Sequence, residues 1–173
     1  MNKTLILVVE DDRPIRNLIV TTLKTHDYKY LAAENGSSAI LEASSHNPDI
    51  VLLDLGLPDM EGVEVIKKIR TWSNMPIIVI SARSEDTDKI EALDAGADDY
   101  ITKPFSLMVL RARVSVQLRN KEAAAKNSME LDGFEFYFDK MEFFKDGEPI
   151  ELSKTEQKLL RVCLLYTSDA ADE

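Results

Sequence analysis

The sequence predicts an α/β protein: a doubly wound parallel sheet with helices on both faces, followed by a smaller antiparallel sheet and one helix. Three observations predict it. Over the first 120 residues, short continuous apolar runs alternate with amphipathic segments, and strand-like and helix-like periods succeed each other five times. Beyond residue 128 the pattern changes to short strand-like pieces separated by turn pairs.

The strands come first. Leu5–Val9, Ile50–Leu53 and Pro76–Ile80 are continuous apolar runs, Tyr100–Ile101 is shorter, and Tyr28–Ala33 is mixed. Runs of this length without polar alternation are strands buried on both faces, as in parallel sheets. Between them, apolar residues recur at spacings of three and four, the helical period. Residues 13–25 align Ile15, Leu18, Ile19, Thr22 and Leu23, and residues 36–46 align Ala39, Ile40 and Ala43. Residues 62–72 use Val63, Val65, Ile66 and Ile69, residues 84–95 use Ile90, Leu93 and Ala95, and residues 106–119 use Leu107, Leu110, Val114 and Leu118. Alternating strand and helix of this kind builds a parallel sheet with right-handed crossovers.

Residues 1–120 form the first predicted domain. The stretch NKEAAAKNS at 120–128 lacks large apolar residues and reads as a linker, at 121–128, or as an extension of the fifth helix. Met129–Leu131, Phe134–Phe138, Met141–Lys145 and Ile150–Leu152 then predict a four-stranded antiparallel meander, with turns at Asp132-Gly133, Asp139-Lys140 and Asp146-Gly147. Ser153 with Glu156 is a capping box opening a helix whose apolar face is Leu159, Leu160, Cys163 and Leu164. The second unit spans 129–165, and LLYTSDAADE closes the chain, with 166–173 reading as a non-native tail.

Composition narrows the function. The 173 residues are 45% hydrophobic, enough for a real core. Acids outnumber bases 31 to 21, a net charge of −10, and neither half is basic: 14 against 18 through residue 120 (−4), and 7 against 13 after it (−6). A freestanding basic nucleic-acid binder is excluded, because phosphate contact needs a positive surface. Cys163 is the single cysteine, and His26 and His46 are the only histidines, so neither an internal disulfide nor a cysteine or histidine zinc cage fits. No apolar run approaches the roughly 20 residues of a membrane span. The N-terminus is too acidic for a signal peptide, so a cytoplasmic protein with no membrane partner is expected.

In an open α/β sheet the functional crevice lies at the carboxyl ends of the strands. There the first strand ends in Glu10-Asp11-Asp12, the third in Asp54, the fourth in Ser81-Ala82, and the fifth leads into Thr102-Lys103-Pro104. Clustered carboxylates invite a hard cation or a raised pKa. Oxygen donors without His or Cys select magnesium or a similar ion. With a lysine and a hydroxyl opposite, these are the parts for moving a phosphoryl group to a carboxylate. Taken singly, each residue has a plainer role: Asp11 or Asp12 as a helix cap, Asp54 as a strand-end acid, Lys103 as solvated surface. Neither G-x-G-x-x-G nor G-x-x-x-x-G-K-[ST] is present, which disfavours dinucleotide and P-loop chemistry.

VVEDD, LLDLGLPDMEG, VISAR and GADDYITKPF, in this order and spacing, resemble the receiver domain of two-component response regulators over residues 4–119. LDLGLPD and IRTWSNMPIIVISARSEDTDKIEALDAGADDY resemble, within the winged-helix (OmpR/PhoB) subfamily, the regulators of potassium-uptake operons. The resemblance implies a flavodoxin-like (βα)5 fold with strand order 2-1-3-4-5. It implies Asp54 as phosphoacceptor, served by a sensor histidine kinase. Asp11, Asp54 and the Gly56 carbonyl would bind Mg2+ directly and Glu10 through water. Ser81 would be the switch hydroxyl, Lys103 the phosphate-binding lysine across a cis bond to Pro104, and Tyr100 the rotating aromatic.

The resemblance further implies a two-fold dimer on phosphorylation through Lys89, Asp94, Asp98, Asp99, Arg111, Arg113 and Arg119, with an Asp99–Arg113 ion pair. Val109 and Ser115 depart from the charged residues usual there. Otherwise those side chains are a solvated charged face. The chain would be a phosphoacceptor switch rather than a turnover enzyme. The second unit resembles the start of a winged-helix effector domain, without the recognition helix and wing, so promoter DNA is expected to bind only a full-length form. A different class, an Mg-dependent phosphohydrolase with an aspartate nucleophile, is weakened by Gly56, which stands two residues after Asp54 where such enzymes carry a second aspartate.

Overall fold

The structure, a computed structural model, describes residues 3–137, 142–160 and 162. It divides into two compact units, Met1–Lys121 and Glu122–Glu173.

In the first unit five strands, β1 (Leu5–Val9), β2 (Lys29–Ala33), β3 (Ile50–Leu53), β4 (Ile77–Ser81) and β5 (Asp99–Thr102), form a parallel sheet in the order β2-β1-β3-β4-β5. Helices α1 (Arg13–Thr25), α2 (Gly36–His46), α3 (Gly62–Arg70), α4 (Asp86–Ala95) and α5 (Leu107–Asn127) connect or follow them. The two-residue period of the strands sorts the core into two layers. Leu7, Val9, Val51, Leu53, Ile77 and Val79 face one side, with Ala39 and Ala43 of α2, the apolar stripe of α3 and Ala92 of α4. Ile6, Val8, Ile50, Leu52, Ile78 and Ile80 face the other, with Ile19 and Leu23 of α1 and Leu110 and Val114 of α5. This explains why β1, β3 and β4 carry no polar alternation: both faces are covered.

Two expectations about helix faces are corrected. Ile90 and Leu93 stand 56% and 44% exposed, and α4 enters the core through the small Ala92 instead. Leu18 of α1 is likewise exposed. Of the two readings of the 120–128 stretch, extension of the fifth helix is the one observed. Residues 121–127 continue α5, and Ser128 opens the next strand, because Ala, Lys and Glu are strong helix formers and no breaker intervenes.

In the second unit β6 (Ser128–Leu131), β7 (Phe134–Tyr137), β8 (Glu142–Lys145) and β9 (Glu148–Ile150) pair antiparallel in sequence order. Asp132-Gly133 and Asp146-Gly147 have positive φ at both positions, the type I′ geometry of two-residue hairpins. The second turn pairs Lys145 with Glu148, so the last strand must start directly after it. That is why β9 precedes the expected Ile150–Leu152. The turn expected at Asp139-Lys140 lies outside the described residues.

Phe136 and Phe143 are buried in this unit, with Phe134, Ile150, Leu152 and Leu160 packed against them. Residues 154–160 are helical, opened by the expected capping box: Ser153 N–H donates to Glu156 Oε2 at 2.7 Å, and Glu156 N–H to Ser153 Oγ at 3.3 Å. Leu159 points out at 67% exposure. Cys163, Leu164 and the tail lie outside the described residues.

Candidate functional site

The site lies at the carboxyl ends of β1, β3, β4 and β5. Its residues stand at or just beyond the strand ends, and the sheet's hydrogen bonding continues through them. Glu10 N–H donates to Ala33 O at 3.1 Å, Asp54 N–H to Val9 O at 2.9 Å, and Lys103 N–H to Ser81 O at 2.8 Å. Arg16, one turn into α1, reaches back and donates to the Glu10 carbonyl at 2.9 Å. The backbone under the site is therefore fixed by the sheet and by Arg16.

Glu10, Asp54 and Ser81 are buried at 2%, 7% and 2% exposure. Lys103 Nζ lies between the two acids, 3.0 Å from each Glu10 carboxylate oxygen and 3.4 Å from Asp54 Oδ2. Two buried carboxylates share one ammonium. Burial, together with the nearby Asp54 charge, pushes the Glu10 carboxyl up to about 7 against the opposing pull of Lys103. Burial pulls the Lys103 ammonium down, but its contacts with Glu10 and Asp54 outweigh that and raise it. Asp11 is exposed, yet one oxygen each of Glu10, Asp11 and Asp54 lie within 4.8 Å of one another, a grouping able to hold a cation. Three oxygen donors without nitrogen or sulfur fit a hard divalent ion such as magnesium.

The other predicted residues fall as follows. Asp12 caps α1, its carboxylate accepting from Ile15 N–H at 3.2 Å. Gly56 N–H donates to Asp54 Oδ1 at 3.3 Å, so the loop after β3 folds back over the acid it follows. Ser81 Oγ accepts from Arg83 N–H at 3.1 Å, and the Tyr100 hydroxyl donates to Arg83 O at 2.6 Å. Burial raises the Tyr100 phenol. The Lys103-Pro104 bond is cis.

On the α4–β5–α5 side, Arg113 pairs with Asp99 of its own chain at 2.8 Å. Asp98 is committed to Arg70 at 3.0 Å and to Ile77 N–H at 2.8 Å. Ile90, Leu93, Met108 and Val109 are exposed on these elements.

Sequence reasoning missed two contacts around the site. Arg83 reaches Glu61 at 2.8 Å, joining the β4–α4 and β3–α3 loops. Asp59 accepts from Gly36 N–H at 2.7 Å and from Ser37 N–H and Oγ at 2.9 Å each. The first couples two aperiodic loops and the second a loop to the first turn of α2, pairings in which spacing carries no signal.

The model of the response regulator receiver domain matches residues 6–115. The transcriptional regulatory protein KdpE of Mycobacterium tuberculosis (strain CDC 1551 / Oshkosh) is 40% identical over 162 residues, covering 92% of this chain and 72% of that protein. The KDP operon transcriptional regulatory protein KdpE of Escherichia coli (strain K12) is 49% identical over 120 residues, covering 69% of this chain and 53% of that protein. Among solved structures, the BeF3-activated N-terminal receiver domain of Klebsiella pneumoniae RstA superposes with a TM-score of 0.65 at 34% identity, covering 67% of this chain and 99% of that one. These relatives do not favour the phosphohydrolase alternative. The strand order, the acids at the strand ends and these likenesses agree, and the chain belongs to the response regulators of two-component systems, with a receiver domain at residues 6–115.

Proposed function

We propose that Asp54 accepts a phosphoryl group from a phosphohistidine of a sensor histidine kinase. An Asp54 carboxylate oxygen attacks phosphorus while the P–N bond breaks. The imidazole leaves with the bonding pair and takes a proton from solvent, and a mixed anhydride remains on Asp54. The observation that carries this reading is the buried Asp54 carboxylate beside Lys103, 3.4 Å away, with Glu10 and Asp11 alongside. Lys103 supplies a fixed positive charge for a phosphoryl oxygen. Asp11, Asp54 and the Gly56 carbonyl would hold Mg2+ directly, and Glu10 would do so through water. Bound there, the ion neutralises charge on the transferring phosphoryl oxygens.

The new group brings about −1.5 to −2 of charge next to Ser81 and Lys103. Ser81 would exchange its Arg83 partner for a phosphoryl oxygen, and Tyr100 would leave the Arg83 carbonyl to fill the space vacated. Chain and phosphate form a switch rather than a turnover enzyme. Lys89, Asp98, Asp99, Arg111 and Arg113 would contribute to a phosphorylation-dependent homodimer, and the exposed Ile90, Leu93 and Met108 supply apolar area there. The relatives are named as transcriptional regulatory proteins, one of them of the KDP operon, which supports a role in transcription regulation. A potassium-uptake operon as target, promoter DNA bound by a full-length form and a cytoplasmic location complete the proposal.

The test is acetyl phosphate with Mg2+, read by intact mass, on wild type and Asp54→Asn. Wild type gains one phosphoryl group and the variant none. Labelling that persists in Asp54→Asn would overturn the assignment. Sedimentation with and without beryllofluoride tests the dimer, and an unchanged monomer removes that claim.

A further inference from the structure

The loop from Asp54 to Gly62 is tied at its base by short contacts. Gly56 bridges Glu61, Leu57 N–H donates to Leu55 O at 3.1 Å, and Gly62 N–H donates to Leu55 O at 2.8 Å. Its tip is fastened to a different element. The Asp59 carboxylate takes three hydrogen bonds from the first turn of α2, two from Gly36 N–H and Ser37 N–H and one from Ser37 Oγ. Those backbone N–H groups are unpaired within α2, and Asn35 caps only Ser38 N–H, at 2.8 Å. The hydrogen bonds, that from Gly36 foremost, hold the Asp59 carboxyl below the usual range.

Met60, the next residue, sits against Gly36 so closely that a Cβ there would lie 2.4 Å from Met60 Cγ. Gly36 thus receives the loop's side chain on its bare face and donates its N–H to the loop's carboxylate. A loop clamped at base and tip cannot shift Gly56 without breaking one set of contacts.

We propose that Asp59 is a positioning residue: by latching the β3–α3 loop to α2, it fixes the Gly56 carbonyl for the divalent cation. The inference rests on the reading of Gly56 as a cation ligand. An orienting partner behind a ligand contributes about tenfold or more to metal affinity, and Asp59 acts on Gly56 through the loop backbone.

The experiment is calorimetric titration of the full chain with MgCl2, alongside thermal unfolding of each variant. Asp59→Ala is expected to raise the Mg2+ dissociation constant about tenfold. Asp59→Asn, which keeps one acceptor, falls between it and wild type. Asn35→Ala is the control: it removes the other cap of α2 and lowers stability without touching the loop, and its Mg2+ affinity stays at the wild-type value. Equal loss of affinity in Asn35→Ala and Asp59→Ala would show that α2 stability, not the latch, sets the site, and would overturn the proposal. So would unchanged affinity in Asp59→Ala. Wild type that binds no Mg2+, or binds it unchanged in Asp54→Asn, would instead sink the cation reading, and the latch with it.

Discussion

Replacing Glu10 with Gln should remove a pH dependence that the buried acid pair builds into the receiver. Glu10 is 2% exposed, and its carboxyl rises from 4.5 to about 7 on folding, chiefly through burial. Between those values the folded chain binds more protons at this position than the unfolded chain. Stability therefore falls as pH rises through that window and levels off above it. Linkage across pH 5 to 8 gives about 2–3 kcal/mol. Glu10→Gln cannot ionise, so the stability of the variant relative to wild type should improve by about 2–3 kcal/mol from pH 5 to pH 8 in EDTA. For a unit of this size that is a change of about 10 °C in the difference between melting temperatures. Trp72, the only tryptophan, lies in the same unit and reports its unfolding by fluorescence. Taking the difference between variant and wild type cancels the titration of groups that do not interact with Glu10. A difference constant within about 0.5 kcal/mol from pH 5 to 8 would refute the reasoning.

Gly62→Ala places a Cβ 2.6 Å from Leu55 Cα and 2.7 Å from Asp54 O, both backbone atoms, and should cost about 1–3 kcal/mol in urea unfolding. Arg70→Met strips the carbonyls of Gly96, Ser73 and Met75 of their guanidinium donor and should cost about 2–3 kcal/mol in the same measurement. Asp12→Ala removes the α1 cap and should cost about 1 kcal/mol while leaving acetyl phosphate labelling intact, which separates it from its neighbour Asp11.

The strands were legible because both faces of the sheet are covered, so Ile50–Leu53 has no polar residue to obscure it. The acids and Lys103 were legible because chain order alone puts them at strand ends, where this sheet type collects its site. The α4 face was misread for a definite reason. Periodicity weighs large side chains, and Ile90 and Leu93 are large. The helix approaches the sheet closely enough to be held by Ala92, which leaves the larger pair exposed. The Asp59 latch was invisible because its partners are 22 and 23 residues away in the first turn of α2. Nothing in local spacing distinguishes a carboxylate that caps a remote helix from one that is solvated.

Glu10 and Asp54 could in principle relieve their repulsion by moving apart. The backbone prevents it, because Glu10 N–H is held by Ala33 O and Asp54 N–H by Val9 O, extensions of the sheet ladder whose loss would leave buried donors unsatisfied. With movement closed off, the conflict can be relieved only by charge: a proton on Glu10, the shared Lys103 ammonium, or a cation. Each of these acts on the same two carboxylates, so each changes the free energy of the others. A divalent ion that binds the folded site must oppose protonation of Glu10, and it must stabilise the fold in proportion to the repulsion it removes. The rigidity that makes the resting pocket costly is thus the property that makes it responsive, since an unstrained pocket would gain little from a cation.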